Sequence, residues 1–353
     1  LSAIHYQALQ AKLSFLLNRY PDLLRHRVLD QILYRDKLFP LPLVEMGSQD
    51  PRDPCLLLVS GVHGLEKIGV EILLTIMQTL AALGSWDHGL QTILRRIRIV
   101  FYPFANPVGI LRHTRATGDG IDMMRNAALE GQQIRWYQLY AGHRLSRFLP
   151  WYRGKAGEPC GIEAQSLMQL TRDIIGQSIF TLSLDIHSGF GQRDRLWFPF
   201  AYTQRAFPQA GLIYRLKDML KEALPHHVYR IEPQSTSYRT HGDLWDYLYL
   251  RHQDESHANR AATFLPLTLE LGSWLWLKKN PRQLFLPFGT FDPILPHRRQ
   301  RTLRRHWALF DFLLRLVSSH KSFESSFLLD QQEYDRLARE KWFPHQKSEG
   351  LLT

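Results

Sequence analysis

The chain has 353 residues, 44% of them apolar and 12% aromatic, which suffices for a large buried core and excludes a disordered chain. A formal charge of +11 raises nucleic acid as a partner, but the charge is spread. Its densest stretch, HRRQRTLRRH (297–306), enters an amphipathic helix pattern, and no helix-turn-helix, zinc-finger or RNP-like segment accompanies it, so no nucleic acid is expected.

Residues 1–25 place Leu9, Leu13, Leu16 and Leu17 at helical spacing, and Pro21 ends that pattern, giving an N-terminal helical segment within 1–35. Short apolar runs follow at 38–46, 55–61, 96–104 and 179–187, alternating with helical periods at 68–83, 162–175 and 209–223. Later strands are expected at 227–231 and 264–271, and helices at 241–250 and 300–317. This alternation predicts an α/β fold, a mixed, mostly parallel twisted sheet of about eight strands with helices on both faces. One domain spans 1–318, and 319–353 reads as a polar, loosely packed extension. No apolar run reaches the roughly 20 residues of a membrane span, and the start lacks a secretory pattern, so a cytoplasmic protein is expected. Cys55 and Cys160 form neither a disulfide framework nor a CxxC pair, which leaves histidines and carboxylates to hold any metal.

Three strand ends carry candidate chemistry. In SGVHGLEKIG (60–69), His63 and Glu66 follow an apolar run and sit among glycines, at a place where open α/β sheets form their ligand crevice. In LDIHSGFG (184–191), His187 has the same setting, and Asp185 is placed to accept a hydrogen bond from a ligand's second nitrogen. In PLTLELGSW (266–274), Glu270 interrupts an apolar strand. Each has an ordinary reading by itself: a turn histidine, a satisfied buried histidine, a surface glutamate. Together they supply two imidazoles and a carboxylate for zinc, with a further carboxylate for proton transfer.

In order and type, these segments resemble the zinc metallocarboxypeptidase family, with spacing similar to the bacterial murein peptide amidases. That family's Asn-Pro-x-Gly turn is matched by Asn106-Pro107-Val108-Gly109, and its Asp-x-Asn-Arg-Asn segment by Asp122 to Asn126. The resemblance implies one Zn²⁺ on His63, Glu66 and His187, with Asp122 orienting His63 and Glu270 as general base. It implies Arg115 as oxyanion stabiliser, with Arg112 as competitor, and Arg125 and Asn126 on the substrate carboxylate. Met124 stands where the family has an amide. WFPFAYT (197–203) and SYRTHGDLWDYLY (237–249) resemble later family segments, which implies Tyr238 as the substrate-contacting tyrosine and Trp245 with Asp246 at the pocket floor. The implied activity is hydrolysis of a peptide or small amide next to a free carboxylate. The alternatives are N-acyl amino acid deacylation, as in the aspartoacylase and succinylglutamate desuccinylase group, and peptide binding without turnover.

Overall fold

In a computed structural model, which describes residues 2–256, 262–286 and 289–346, eight strands form one mixed sheet. They are β1 (Arg25–Tyr34), β2 (Lys37–Gly47), β3 (Cys55–Ser60), β4 (Arg98–Tyr102), β5 (Phe180–Ser188), β6 (Arg195–Phe198), β7 (Arg230–Pro233) and β8 (Thr263–Leu271). Their order is β1-β2-β4-β3-β5-β8-β6-β7. The central ladders β4-β3, β3-β5 and β5-β8 are parallel, as is β6-β7, whereas β1-β2, β2-β4 and β8-β6 are antiparallel.

The helices are α1 (Ser2–Arg19), α2 (Lys67–Gly84), α3 (His88–Leu94), α4 (Pro107–Arg112), α5 (Ile162–Ile175), α6 (Ala210–Ala223), α7 (Leu244–Ser256), α8 (Trp274–Lys279), α9 (Pro296–Arg305), α10 (Trp307–Ser318), α11 (His320–Leu329) and α12 (Gln331–Trp342). Every residue of β3 and β5 is buried, which requires cover on both faces and explains why these strands read as continuous apolar runs. α2 and α10 pack on β3 and β5, while α5 and α7 pack on β5 and β8 respectively. α2 is long and apolar enough to cross a membrane by composition, but most of it is buried inside the molecule, as in a core helix.

Three expectations need correction. Residues 25–34 form β1 rather than part of a helical segment; the strand lies at the sheet edge, mostly exposed, so its apolar signal is weak. The helix expected at 300–317 is two helices meeting at His306. The tail is not loose: Phe323, Ala338, Trp342 and Phe343 are buried, and the Trp342 indole donates to the Ile231 carbonyl at 3.0 Å, covering edge strand β7. The basic stretch at 297–306 is partly spent on ion pairs, Arg299 with Glu71 and Arg305 with Asp194.

Parallel pairing puts the C-terminal ends of β3, β5 and β8 side by side. His187 and Glu270 are register partners, so their side chains leave the sheet on the same face, and the loop from β3 to α2 brings His63 and Glu66 over the same end.

Candidate metal centre and active site

The loop after β3 turns sharply. Gly61 adopts φ +71, and Gly64 lies so close to Gly109 that a Cβ there would overlap its backbone, so only glycine lets the loop pass the start of α4. The turn is closed by the Glu66 N–H donating to the His63 carbonyl at 3.0 Å.

His63, Glu66 and His187 are all buried, and their ligand atoms converge. His63 Nδ1 lies 2.9 Å from Glu66 Oε1, His187 Nδ1 lies 3.1 Å from Glu66 Oε2, and the two Nδ1 atoms are 3.2 Å apart. The far nitrogen of each ring meets a buried carboxylate: His63 Nε2 and Asp122 Oδ1 at 3.2 Å, His187 Nε2 and Asp185 Oδ2 at 2.7 Å. With each Nε2–H donating to its carboxylate, both Nδ1 lone pairs point at each other and at Glu66. The trio needs a positive charge between its members. Burial alone would lower the His187 pKa, but Asp185 and Glu66 raise it well above its ordinary value, so the surrounding carboxylates favour positive charge at this ring. The donor set of two imidazoles and a carboxylate with room beside it fits a catalytic zinc. Metal and proton compete for the same nitrogen, so loading releases a proton.

Arg115 donates from Nε to Asp122 Oδ2 at 2.7 Å and holds Nη1 3.7 Å from Glu66 Oε1. Arg112 instead leans on the Tyr34 ring and the Gly118 carbonyl, which leaves Arg115 as the arginine beside the trio. Burial would push the Asp122 carboxyl up, but Arg115 and His63 hold it well below the usual range. Glu270 accepts the Phe190 N–H at 2.9 Å, and burial and then the Glu66 charge push its pKa up to about 8.

A cavity of about 950 Å³ opens beside this cluster, lined among others by Arg125, Tyr238, Asp243, Thr268 and Trp197. Arg125 is buried, its Nε has no hydrogen-bond partner in the protein, and its Cζ lies 5.9 Å from the Tyr238 ring centroid. An unpartnered buried guanidinium nitrogen on a cavity wall is a ready anion receptor. Met124 also lines the wall.

Three predicted substrate contacts lie elsewhere. Asn126 gives its amide to the Arg153 carbonyl and takes the Gly161 N–H, so it shapes a loop and does not reach the cavity. Asp246 accepts the Ala201 and Tyr202 N–H groups, both at 2.7 Å. Trp245 is not a pocket floor: its Nε1 donates at 3.0 Å to Asp185 Oδ2, the oxygen that also binds His187. Of the two acids in the segment 243–246, Asp243 is the one that faces the cavity, while it caps the start of α7. The stretch from Tyr140 to Trp151, which forms one rim, is not marked by any motif; the aromatic and arginine density of YAGHRLSRFLPWYR is its available signal.

Trp245→Phe is expected to weaken zinc binding roughly tenfold by freeing Asp185, with little change in kcat for the loaded enzyme. Chelator competition measures this, and unchanged affinity would remove Trp245 from the positioning chain.

The zinc carboxypeptidase family model matches residues 39–279. The chain belongs to the zinc carboxypeptidase family. Among solved structures, it is similar to thrombin activatable fibrinolysis inhibitor (16% identity, TM-score 0.65, covering 89% of this chain and 74% of that one). It is likewise similar to carboxypeptidase A from Helicoverpa armigera (16%, 0.64, 89% and 73%) and to a metallo-carboxypeptidase from Burkholderia cenocepacia (14%, 0.51, 88% and 68%). At these identities the likeness is one of fold. No curated protein sequence matches the chain.

Proposed function

We propose that this zinc carboxypeptidase-family chain hydrolyses a peptide or small amide bond adjacent to a free carboxylate. The observation that carries this reading is the convergence of His63, Glu66 and His187 on a cavity that also exposes the buried, partly unpaired Arg125 and the proton-accepting Glu270. Zinc, when bound, supplies a Lewis acid that polarises the scissile carbonyl and acidifies water. Arg125 grips the terminal carboxylate and so fixes which bond lies beside the cluster. Glu270, held in place by the Phe190 N–H, takes the proton from the attacking water and passes it to the leaving amine. Arg115, anchored through Nε on Asp122 and with Nη1 facing Glu66, keeps its Nη2 N–H groups for the oxyanion, a contribution of about 3–4 kcal/mol for a donor of this kind. Tyr238, packed against Phe190 and Trp197, presents its hydroxyl to the substrate beside Arg125.

A substrate panel tests the proposal: peptides with a free C-terminus, the same peptides amidated, a murein tripeptide, and N-acyl amino acids, each with zinc-loaded protein. Free carboxylates are expected to be preferred by at least roughly tenfold, and Arg125→Gln is expected to erase that preference mainly through KM. Faster cleavage of the amidated peptides would sink the role of Arg125. Turnover confined to N-acyl amino acids would move the activity to deacylation.

A further inference from the structure

A second cavity, of about 570 Å³, lies at the β7 edge of the sheet, between the C-terminal half of α6 and the end of α12. Five cationic side chains line it: Arg193 before β6, Lys217 and Lys221 on α6, Arg230 on β7 and Lys341 on α12. Lys217 and Lys221 are four apart on one helix and present the same face, so their charges oppose each other unless an anion lies between. One carboxylate, Glu232, lines the cavity, and both its oxygens are already engaged, by Arg195 and Arg230. Lys217 is partnered by Asp218 at 2.6 Å. Among the described residues, no ion pair forms with Arg193, Lys221 or Lys341. His227 and Thr236 also line the wall, and its apolar part includes Val228, Tyr229 and Trp342.

A concave site with one sign of charge concentrates the opposite charge in its mouth. Its cations come from four separate segments, so a single small anion leaves most of them unmet. Its volume lies in the range of small-ligand sites. We propose that this cleft binds a ligand of nucleotide size carrying several phosphate groups, the phosphates on Lys221, Arg193 and Lys341 and the ring against the apolar part of the wall. Arg and Lys together suit phosphate, the first through its planar fork and the second as a point charge. The site is separate from the catalytic cavity and does not depend on the proposed hydrolysis.

The test is titration calorimetry of zinc-loaded protein with ATP, tripolyphosphate and adenosine. ATP is expected to bind saturably, tripolyphosphate roughly tenfold more weakly for want of the ring, and adenosine not measurably. K221E is expected to weaken ATP binding by at least roughly tenfold, and so is K341E, which is exposed on another element, both with unchanged melting temperature and peptide hydrolysis. Absence of saturable ATP binding overturns the proposal. Binding that survives both variants overturns it too, because the anion would then sit on the arginines of the catalytic cavity. Equal affinity for tripolyphosphate and ATP overturns the role given to the apolar wall.

Discussion

Glu270→Gln is expected to keep its zinc and lose hydrolysis by roughly 10²–10⁴-fold, the range over which positioned proton transfer contributes to rate. The substitution preserves shape and the acceptor for the Phe190 N–H, so the site geometry survives while the proton acceptor is lost. The pH profile sharpens the test. Without a cation, burial and the nearby Glu66 push the Glu270 pKa up to about 8, which leaves the carboxyl largely protonated at neutral pH. A cation held by His63, Glu66 and His187 offsets the Glu66 charge and brings that value down. The loaded enzyme should therefore show kcat/KM falling as pH drops through a pKa below 8, and the Gln variant should lack that limb. An unchanged rate or an unchanged acidic limb would remove Glu270 as the base.

His187→Ala should empty the metal site and destabilise the fold. The imidazole is one of three converging donors, and it also satisfies Asp185, a fully buried carboxylate whose other oxygen already lacks a partner. Losing it leaves Trp245 as the remaining side-chain donor to that carboxylate, a defect of about 3–5 kcal/mol by analogy with broken buried pairs. Melting curves with and without a chelator separate the two effects. The natural chain should lose stability when the metal is stripped, whereas the variant should start lower and not respond. Zinc content in the variant equal to that of the natural chain would take His187 off the ligand set.

The four residues at the strand ends were legible in sequence because their setting is local: an apolar strand, a glycine turn, then a histidine or glutamate. Position along a strand fixes the face of a side chain, so His187 and Glu270 could be placed together once their strands paired in register. Trp245, Asp246 and Asn126 were legible only as members of a motif. Their direction depends on how the loop at 126 and the first turn of α7 pack, and there Trp245 turns toward Asp185 rather than the cavity. β1 was missed because an exposed edge strand needs no apolar run. The tail looked polar because Phe323, Ala338 and Trp342 are far apart in sequence and meet the core only when α11 and α12 fold over α6. The second cavity draws its cations from four separate segments, so no window of sequence displays it.

X-ray absorption at the zinc edge of loaded protein tests the centre most directly. The expected result is a first shell of nitrogen and oxygen at about 2.0–2.2 Å with the outer-shell scattering of two imidazoles, and loss of part of that imidazole signal in His63→Ala. Sulfur scattering near about 2.3 Å would put a cysteine on the metal and contradict the assignment of His63, Glu66 and His187.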